Sequence, residues 1–398
     1  MISGQIAPRP QAPVTTNHDS IRLLLRAGRN VDALQALQTV IVANPGDLAA
    51  RELLFDGYFQ SRRWDEALVQ ANTLLRECPD EARYRMWRIS TLANLKRYAE
   101  TVREAGSFAG RYGENARLLN VLKIAHFYLN EIPQAVKCGQ RAMEMTDAEA
   151  WSKTIPMRLK QTGDGAGKNI ISFSLWGANA IYIYGALINT KLARRYFPDW
   201  ICRFYIGDDV PEETIDRLQE EGAEIIRAYQ VDGIPAQFMR FLPLSDPGVE
   251  RFMVRDCDSR VGEPEAELVD AWIKSELPFH VMRAHVLHND LMLAGLWGGT
   301  ANTGMDFKAL LQSYFTFGPT NKYGHDQLML GRKIWPLIRN HCLVHDRYYS
   351  LAGVQTVRIS ERYSQLGSGY QNHSAVMKEA SELGIPALKQ LREAPVWQ

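Results

Sequence analysis

The sequence predicts an α-helical repeat domain followed by an alternating α/β domain with a mostly parallel sheet. Two observations support this division. Related segments recur every 34 residues in the first part of the chain, and short apolar runs alternate with helical patterns from residue 169 onward. A third observation bears on function: the apolar segment from Phe252 to Val254 is followed by two acidic residues, Asp256 and Asp258.

The composition is that of a soluble globular protein long enough for two domains, with 398 residues, 46% hydrophobic and 23% charged. A net charge of +1 gives no overall attraction to nucleic acid or to an acidic membrane. The five cysteines are widely spread and show no zinc-binding spacing, which favours reduced thiols. No run approaches the ~18 apolar residues of a transmembrane helix. We therefore expect a cytoplasmic protein, with peripheral attachment at the inner membrane as the alternative.

Residues 1–17 are rich in proline and polar side chains and are expected to form a disordered leader. From residue 18 to 155 the repeat dominates, with Ala33, Ala67, Thr101 and Ala135 at intervals of 34. A small residue in the second helix of each unit allows close helix packing, and Pro45 and Pro79 share the same interval. The pattern resembles the tetratricopeptide repeat, although Thr101 departs from it; a plain helical bundle is the alternative.

A repeat stack of this kind presents either a surface for a peptide or partner protein or a homodimer interface. Residues 156–168 are predicted to be a linker. Its glycines between Gly163 and Gly167 are not a phosphate-binding loop, because they precede a strand and do not open a helix.

The α/β domain is predicted to span residues 169–350. Strands are expected near 170–174, 201–206 and 223–228, and helices at 180–197, 211–221 and 264–275. In such sheets ligands bind beyond the carboxyl ends of the strands. Asp208 and Asp209 lie at that edge, but the following Pro211 favours helix capping over metal binding.

Asp256 and Asp258 are separated by one residue, so an extended backbone would point both carboxylates the same way. Such oxygen ligands suit a hard divalent cation. Four nearby arginines have two possible roles, pairing with phosphates or bracing the carboxylates, and the sequence does not choose between them. They are Arg240, Arg251, Arg255 and Arg260.

Several later residues are further candidates. His280, His285 and His288 have no metal-binding spacing and favour substrate hydrogen bonds or a surface role. Asp326 opens an apolar helix, where it either orients or deprotonates an acceptor hydroxyl or caps the helix. An imidazole late in the chain, His341 or His345, could supply another metal ligand.

Four motifs together resemble bacterial and algal glycosyltransferases of the GT-A fold. They are Ser172-Phe-Ser-Leu-Trp-Gly177, Arg203-Phe-Tyr-Ile-Gly-Asp-Asp-Val-Pro211, Arg251-Phe-Met-Val-Arg-Asp-Cys-Asp-Ser-Arg260 and Tyr323-Gly-His-Asp-Gln327. The resemblance implies a nucleoside-diphosphate sugar donor, with a UDP-sugar favoured, and Mn²⁺ or Mg²⁺ held by Asp256, Asp258 and His345. It also implies that Asp326 faces the acceptor. The donor would be lined by Ser174, Leu175, Trp176, Tyr182, Arg255, Asp256 and Cys257.

The sequence thus predicts a metal-dependent glycosyltransferase whose repeat domain holds a protein or peptide acceptor. One alternative is a transferase for a surface polysaccharide or lipid-linked glycan. Another is a non-catalytic scaffold with a degenerate α/β domain. Residues 351–398 are expected to form a tail or flap with a final helix.

Overall fold

A computed structural model describes residues 18–153, 159, 167–231, 233–315, 324–369, 372–388 and 391. The chain divides into two compact units, Met1–Ala135 and Val136–Gln398. The expected leader lies outside the described residues, as does most of the expected linker. The division falls at residue 135, whereas the sequence predicted a helical domain continuing to residue 155.

The first unit is a run of antiparallel helices separated by short turns. Its helices are α1 (His18–Arg26), α2 (Asn30–Ala43), α3 (Leu48–Gln60), α4 (Trp64–Glu77), α5 (Ala82–Asn94), α6 (Tyr98–Tyr112) and α7 (Ala116–Tyr128), followed by the start of α8 (Ile132–Ser152).

The 34-residue period is visible in the contacts of this unit. Arg51 donates two hydrogen bonds to the carbonyl of Pro45, and Arg85 does the same to Pro79 one repeat later. The small positions Ala33 and Ala67 are fully buried. Thr101 fits the same buried position because its hydroxyl donates to the Arg97 carbonyl at 3.0 Å. The predicted helical repeat is confirmed.

Left-handed backbone also recurs with this period, at Gly28, Arg62, Lys96 and Asn130. Their φ angles are 73°, 56°, 59° and 60°. Only the first is glycine, so the later repeats carry a side chain at a position that disfavours one.

We expect Lys96→Gly to stabilise the repeat unit by about 1 kcal/mol, because the Cβ strain of the left-handed region is removed.

Urea denaturation followed by the helical circular-dichroism signal measures this change. The matched control is Arg103→Gly on the exposed face of α6, which has ordinary helical backbone and should destabilise by about 1 kcal/mol. Equal losses for both variants would contradict the proposed strain at Lys96.

The second unit contains an eight-stranded mixed sheet with helices. In spatial order the strands run β3-β2-β1-β4-β6-β5-β7-β8. The strands are β1 (Lys168–Leu175), β2 (Trp200–Ile206), β3 (Glu224–Arg227), β4 (Val249–Val254), β5 (Phe279–Arg283), β6 (Trp297–Thr300), β7 (Cys342–Asp346) and β8 (Gln355–Arg358).

Most strand pairs are parallel, as predicted, and the exceptions are the two antiparallel pairs that β6 makes with β4 and β5. The carboxyl ends of β1, β2, β4, β5 and β7 therefore share one edge of the sheet. The helices are α9 (Ala180–Tyr196), α10 (Glu212–Glu220), α11 (Ala236–Met239), α12 (Glu263–Lys274), α13 (Phe307–Tyr314), α14 (His325–Met329), α15 (Trp335–Ile338) and α16 (His373–Glu382).

Within the second unit, α8 is anchored to the α/β core after residue 135. Asp147 accepts hydrogen bonds from Trp335 Nε1 at 2.7 Å and from the Arg339 guanidinium at 2.8 Å and 3.0 Å. Met143 is fully buried in the same hydrophobic core as the sheet. These contacts explain why the second unit begins earlier than the sequence predicted.

The C-terminal region also differs from the expected tail. Residues 355–358 form β8, which extends the sheet in parallel with β7. The predicted final helix is present as α16, which is joined to the body by an ion pair between Glu379 and Arg260 at 2.9 Å. β8 carries little apolar character, so sequence alternation gave no sign of it.

Candidate functional site

The acidic pair lies on the loop that leaves β4 at the carboxyl edge of the sheet. The backbone there turns, because the Asp256 carbonyl accepts from both the amide and the hydroxyl of Ser259, at 3.3 Å and 2.9 Å. The extended conformation expected for Asp256 and Asp258 is therefore wrong. The two carboxylates remain close enough for the charge of Asp256 to act on Asp258.

The loop rests on α9 through a buried amide. Asn189, which is fully buried, donates to the carbonyls of Cys257 at 3.3 Å and Ser259 at 2.9 Å and accepts from the Val261 amide at 3.1 Å. Gly185, one turn earlier, leaves room for the same loop, because a Cβ there would collide with the Cys257 carbonyl. Sequence reasoning missed Asn189, although a polar residue inside the apolar run of α9 was the available signal.

Arg240 joins the acidic pair to Asp326. Its guanidinium pairs with Asp256 Oδ1 through one terminal nitrogen and with Asp326 Oδ2 at 2.8 Å through the other. Burial alone would lower the pKa of Arg240, but the charges of Asp256 and Asp326 raise it above its ordinary value. Of the two open roles for this arginine, the structure shows the bracing of carboxylates.

Asp326 is the second residue of α14 and is not its cap, which is Gly324. Its Oδ1 accepts from the Gln327 amide at 2.9 Å, and its side chain is 14% exposed. The structure therefore brings the predicted catalytic Asp326 to the same arginine as the predicted metal ligand Asp256.

Asp258 is the more enclosed member of the pair. Burial, with a further contribution from the charge of Asp256, raises the pKa of Asp258 to about 6. The backbone of Gly369 covers it, since a Cβ at that glycine would lie 2.9 Å from Asp258 Oδ2. Asp256 is more accessible, with a side chain 45% exposed. A nearby cation would neutralise this pair of like charges.

Arg255 lies in the interior, which differs from its predicted contact with a nucleotide. It is 1% exposed, pairs with Glu265, and donates to the carbonyls of Val254 and Trp297 at 2.6 Å and 3.0 Å. Its guanidinium is occupied in holding α12 and β6 to the end of β4.

His345 is also an interior residue. It lies on β7, is 2% exposed, and its Nδ1 is 2.7 Å from Nε2 of His280 on β5. The His280 ring stacks on Trp272 with centroids 5.4 Å apart. Burial lowers the pKa of His345 to about 4. Both imidazoles are therefore neutral near neutral pH, and the structure places the predicted metal ligand His345 in the core, hydrogen-bonded to His280.

The residues expected to line the donor fall into two groups. Leu175 and Cys257 are buried, at 1% and 3% exposed, and the half-buried Ser174 uses its hydroxyl to donate to the Ala236 carbonyl at 2.8 Å. Trp176 and Tyr182 are open at the carboxyl edge, with exposed fractions of 47% and 40%. Together with Asp256, whose side chain is 45% exposed, these two aromatic residues are the members of the expected donor lining that present an exposed surface to a ligand.

Other candidates have structural roles or remain apart. Asp209 Oδ1 accepts from the Gly177 amide at 2.8 Å, whereas α10 is preceded by Pro211, so the expected helix cap is wrong. Gly295 makes room for the Asp256 carboxylate, which a Cβ there would strike. His341 is exposed in the turn before β7.

The two aspartates suit a hard cation by their chemistry. Within the described ranges, no group of three or more His, Cys, Asp or Glu side chains is arranged to hold a metal ion. Mg²⁺ and Mn²⁺ are often held by one or two carboxylates, with substrate phosphates and water completing the shell. Asp256 and Asp258 fit that smaller ligand set without the expected histidine.

A separate concavity of about 600 Å³ lies near the amino end of β4. Its polar groups are engaged with one another: Asn302 Nδ2 donates to the Asp246 carbonyl at 2.8 Å, and the Ser245 hydroxyl donates to the Met305 carbonyl at 3.0 Å. These contacts brace the loops around it.

Comparison with known proteins identifies the repeats. Residues 24–88 match the family model described as tetratricopeptide repeat. No curated protein matches the chain. Among the helices that the structure describes, none combines the length and apolar character needed to cross a bilayer.

Solved structures similar to the chain include residues 41 to the end of MamA from Desulfovibrio magneticus RS-1, at 14% identity and a TM-score of 0.30, covering 34% of this chain and 77% of that one. A thermophilic TPR protein of Thermus thermophilus is 18% identical with a TM-score of 0.29, covering 34% of this chain and 75% of that one. The chain thus carries N-terminal tetratricopeptide repeats, followed by a unit with a mixed sheet and helices.

Proposed function

We propose that the second unit is a metal-dependent glycosyltransferase domain that uses a nucleoside-diphosphate sugar. The observation that carries this proposal is the pair of carboxylates, Asp256 and Asp258, at the carboxyl edge of a largely parallel sheet. Burial and the charge of Asp256 raise the pKa of Asp258 to about 6, and a divalent cation bound at the pair would favour the ionised form of Asp258.

A bound Mn²⁺ or Mg²⁺ would supply Lewis-acid stabilisation of a departing diphosphate. Asp256 and Asp258 would hold that ion. Trp176 and Tyr182 offer exposed aromatic faces at the same edge, where a nucleoside base or a sugar ring can pack. In this proposal Asp326, which shares Arg240 with the acidic pair, would accept a proton from an acceptor hydroxyl.

The tetratricopeptide repeats support a protein or peptide as acceptor, because such stacks commonly present peptide-binding surfaces. A glycan acceptor remains the enzymatic alternative, and a homodimer would be an alternative use of the repeats. The repeats also favour a second candidate function, a protein-interaction scaffold without catalysis.

The test is thermal denaturation of the full chain with UDP-, GDP- or dTDP-sugars in the presence of Mn²⁺ or EDTA. We expect at least one donor to raise stability with Mn²⁺ present, by about 2.7 kcal/mol at 100 times its dissociation constant. Asp258→Asn should remove the part of the shift that depends on Mn²⁺. Absence of any shift and of any donor hydrolysis would favour the scaffold.

A further inference from the structure

Arg240 occupies an unusual position between the two halves of the proposed site. It directly follows α11 and is 8% exposed, and its amide donates to the Ser174 hydroxyl at 3.1 Å. Its backbone is therefore fixed to the carboxyl end of β1, and the side chain extends into the acidic cluster. A buried arginine of this kind needs partners for its charge.

The guanidinium finds those partners in two carboxylates from distant parts of the chain. One terminal nitrogen pairs with Asp256, and the other pairs with Asp326 at 2.8 Å. The remaining nitrogen, Nε, is buried and has no hydrogen-bond partner among the described residues. The guanidinium thus has an unused donor inside the acidic cluster.

A divalent cation bound by Asp256 and Asp258 would meet this guanidinium directly. Arg240 already holds Oδ1 of Asp256, and two positive charges sharing one carboxylate repel each other. Because the guanidinium fork is planar and rigid, a shift of one terminal nitrogen away from Asp256 also moves the nitrogen that contacts Asp326. Occupation of the acidic pair and the state of Asp326 are therefore mechanically connected.

We propose that Arg240 is an internal counter-ion that competes with a divalent cation for Asp256, so that cation binding displaces it and loosens its hold on Asp326. This inference rests on the proposed function for the identity of the ion. Arg240 is a positioning residue in this scheme: it keeps the carboxylates paired when the ion is absent and makes Asp326 available when the ion arrives.

Calorimetric titration of the full chain with MnCl₂ alone tests the competition. We expect Arg240→Gln to bind Mn²⁺ at least about tenfold more tightly than the wild type, because a competing buried charge is removed. Arg240→Lys keeps the charge and should stay closer to the wild type. The matched control is Arg251→Gln, which removes the same charge near the start of β4 and should change the affinity by less than about twofold.

A second measurement uses the wild type, so that it does not depend on the folding of a variant. Modification of Arg240 by phenylglyoxal, followed by peptide mass spectrometry, should accelerate several-fold on addition of Mn²⁺. Asp256→Asn should abolish that acceleration. These readouts report binding and exposure, and neither requires turnover.

The outcomes separate the two ideas. One outcome would refute the competition alone: Asp256→Asn loses the Mn²⁺ site of the wild type, but Arg240→Gln binds Mn²⁺ no more tightly than the wild type and Mn²⁺ does not accelerate the labelling of Arg240. In that case the metal site would still be supported. If no Mn²⁺ binding depends on Asp256 in any variant, both the competition and the metal dependence of the proposed function are refuted.

Discussion

Asn189→Leu is expected to destabilise the second unit by about 3 kcal/mol, because three buried hydrogen bonds of roughly 1 kcal/mol each are lost. Those bonds join α9 to Cys257, Ser259 and Val261, and thus to the loop that carries the acidic pair. Arg260 still donates to the Cys257 and Ser259 carbonyls, so the Val261 amide is the group left unpaired. Urea denaturation measures the loss.

The matched control is Thr190→Val on the same helix. Thr190 is 2% exposed, and its hydroxyl donates to the Ala186 carbonyl of its own helix at 2.9 Å and interacts with the Cys202 thiol, neither of which belongs to the loop of the acidic pair. We expect a loss below about 1.5 kcal/mol for this variant. Mn²⁺ affinity should fall in Asn189→Leu and persist in Thr190→Val, because only the first change releases the loop. Equal behaviour of the two variants would show that Asn189 does not fix the acidic pair.

The contrast between Asp256 and Asn189 shows how far the sequence could predict this site. The position of the acidic pair followed from a local rule, because a buried strand ends directly before it and parallel strands gather their carboxyl ends at one edge. The clamp by Asn189 depends on α9 lying against that loop, some 70 residues further along the chain. Local patterns do not contain this contact.

Arg240 and His345 show the same limit of sequence-based prediction. Nothing in the sequence indicated a contact that Arg240 makes, and the pattern suggested a metal-binding role for His345, which lies in the core. The arginine was recognised as a neighbour of the pair in sequence, but its bridge to Asp326 spans 86 residues and appears only in the fold. The histidine lies on a strand whose two faces are both buried, so alternation could not tell a ligand from a core residue. The repeat unit was predictable in more detail, because each helix pair contacts mainly its neighbours.

The buried histidine pair should make the second unit sensitive to acid. The pKa of His345 is lowered by burial to about 4, against about 6.5 in an unfolded chain. The pKa of His280 is lowered by burial, and further by the neighbouring His345 and Arg255. Between pH 4 and pH 6.5 the unfolded state binds more protons than the folded state. The contribution of the histidines to the free energy of unfolding is therefore fully present above about pH 6.5 and is lost as the pH drops toward 4. A shift of this size corresponds to about 3 kcal/mol for His345 alone.

His345→Asn tests this expectation, because its side chain can still hydrogen-bond to His280 but cannot take up a proton. Urea denaturation between pH 4.5 and 7.5 in EDTA should show a shallower loss of stability toward acid for the variant.

Asp258→Asn should have the opposite effect: the pKa of Asp258 is raised to about 6, so its ionisation opposes folding as the pH rises through that value. Removing that charge should therefore stabilise the protein near pH 7 and steepen its acid sensitivity. Parallel pH profiles for wild type and His345→Asn would contradict the neutral buried pair, whereas unchanged Mn²⁺ affinity in His345→Asn would agree with two carboxylates holding the ion without this imidazole.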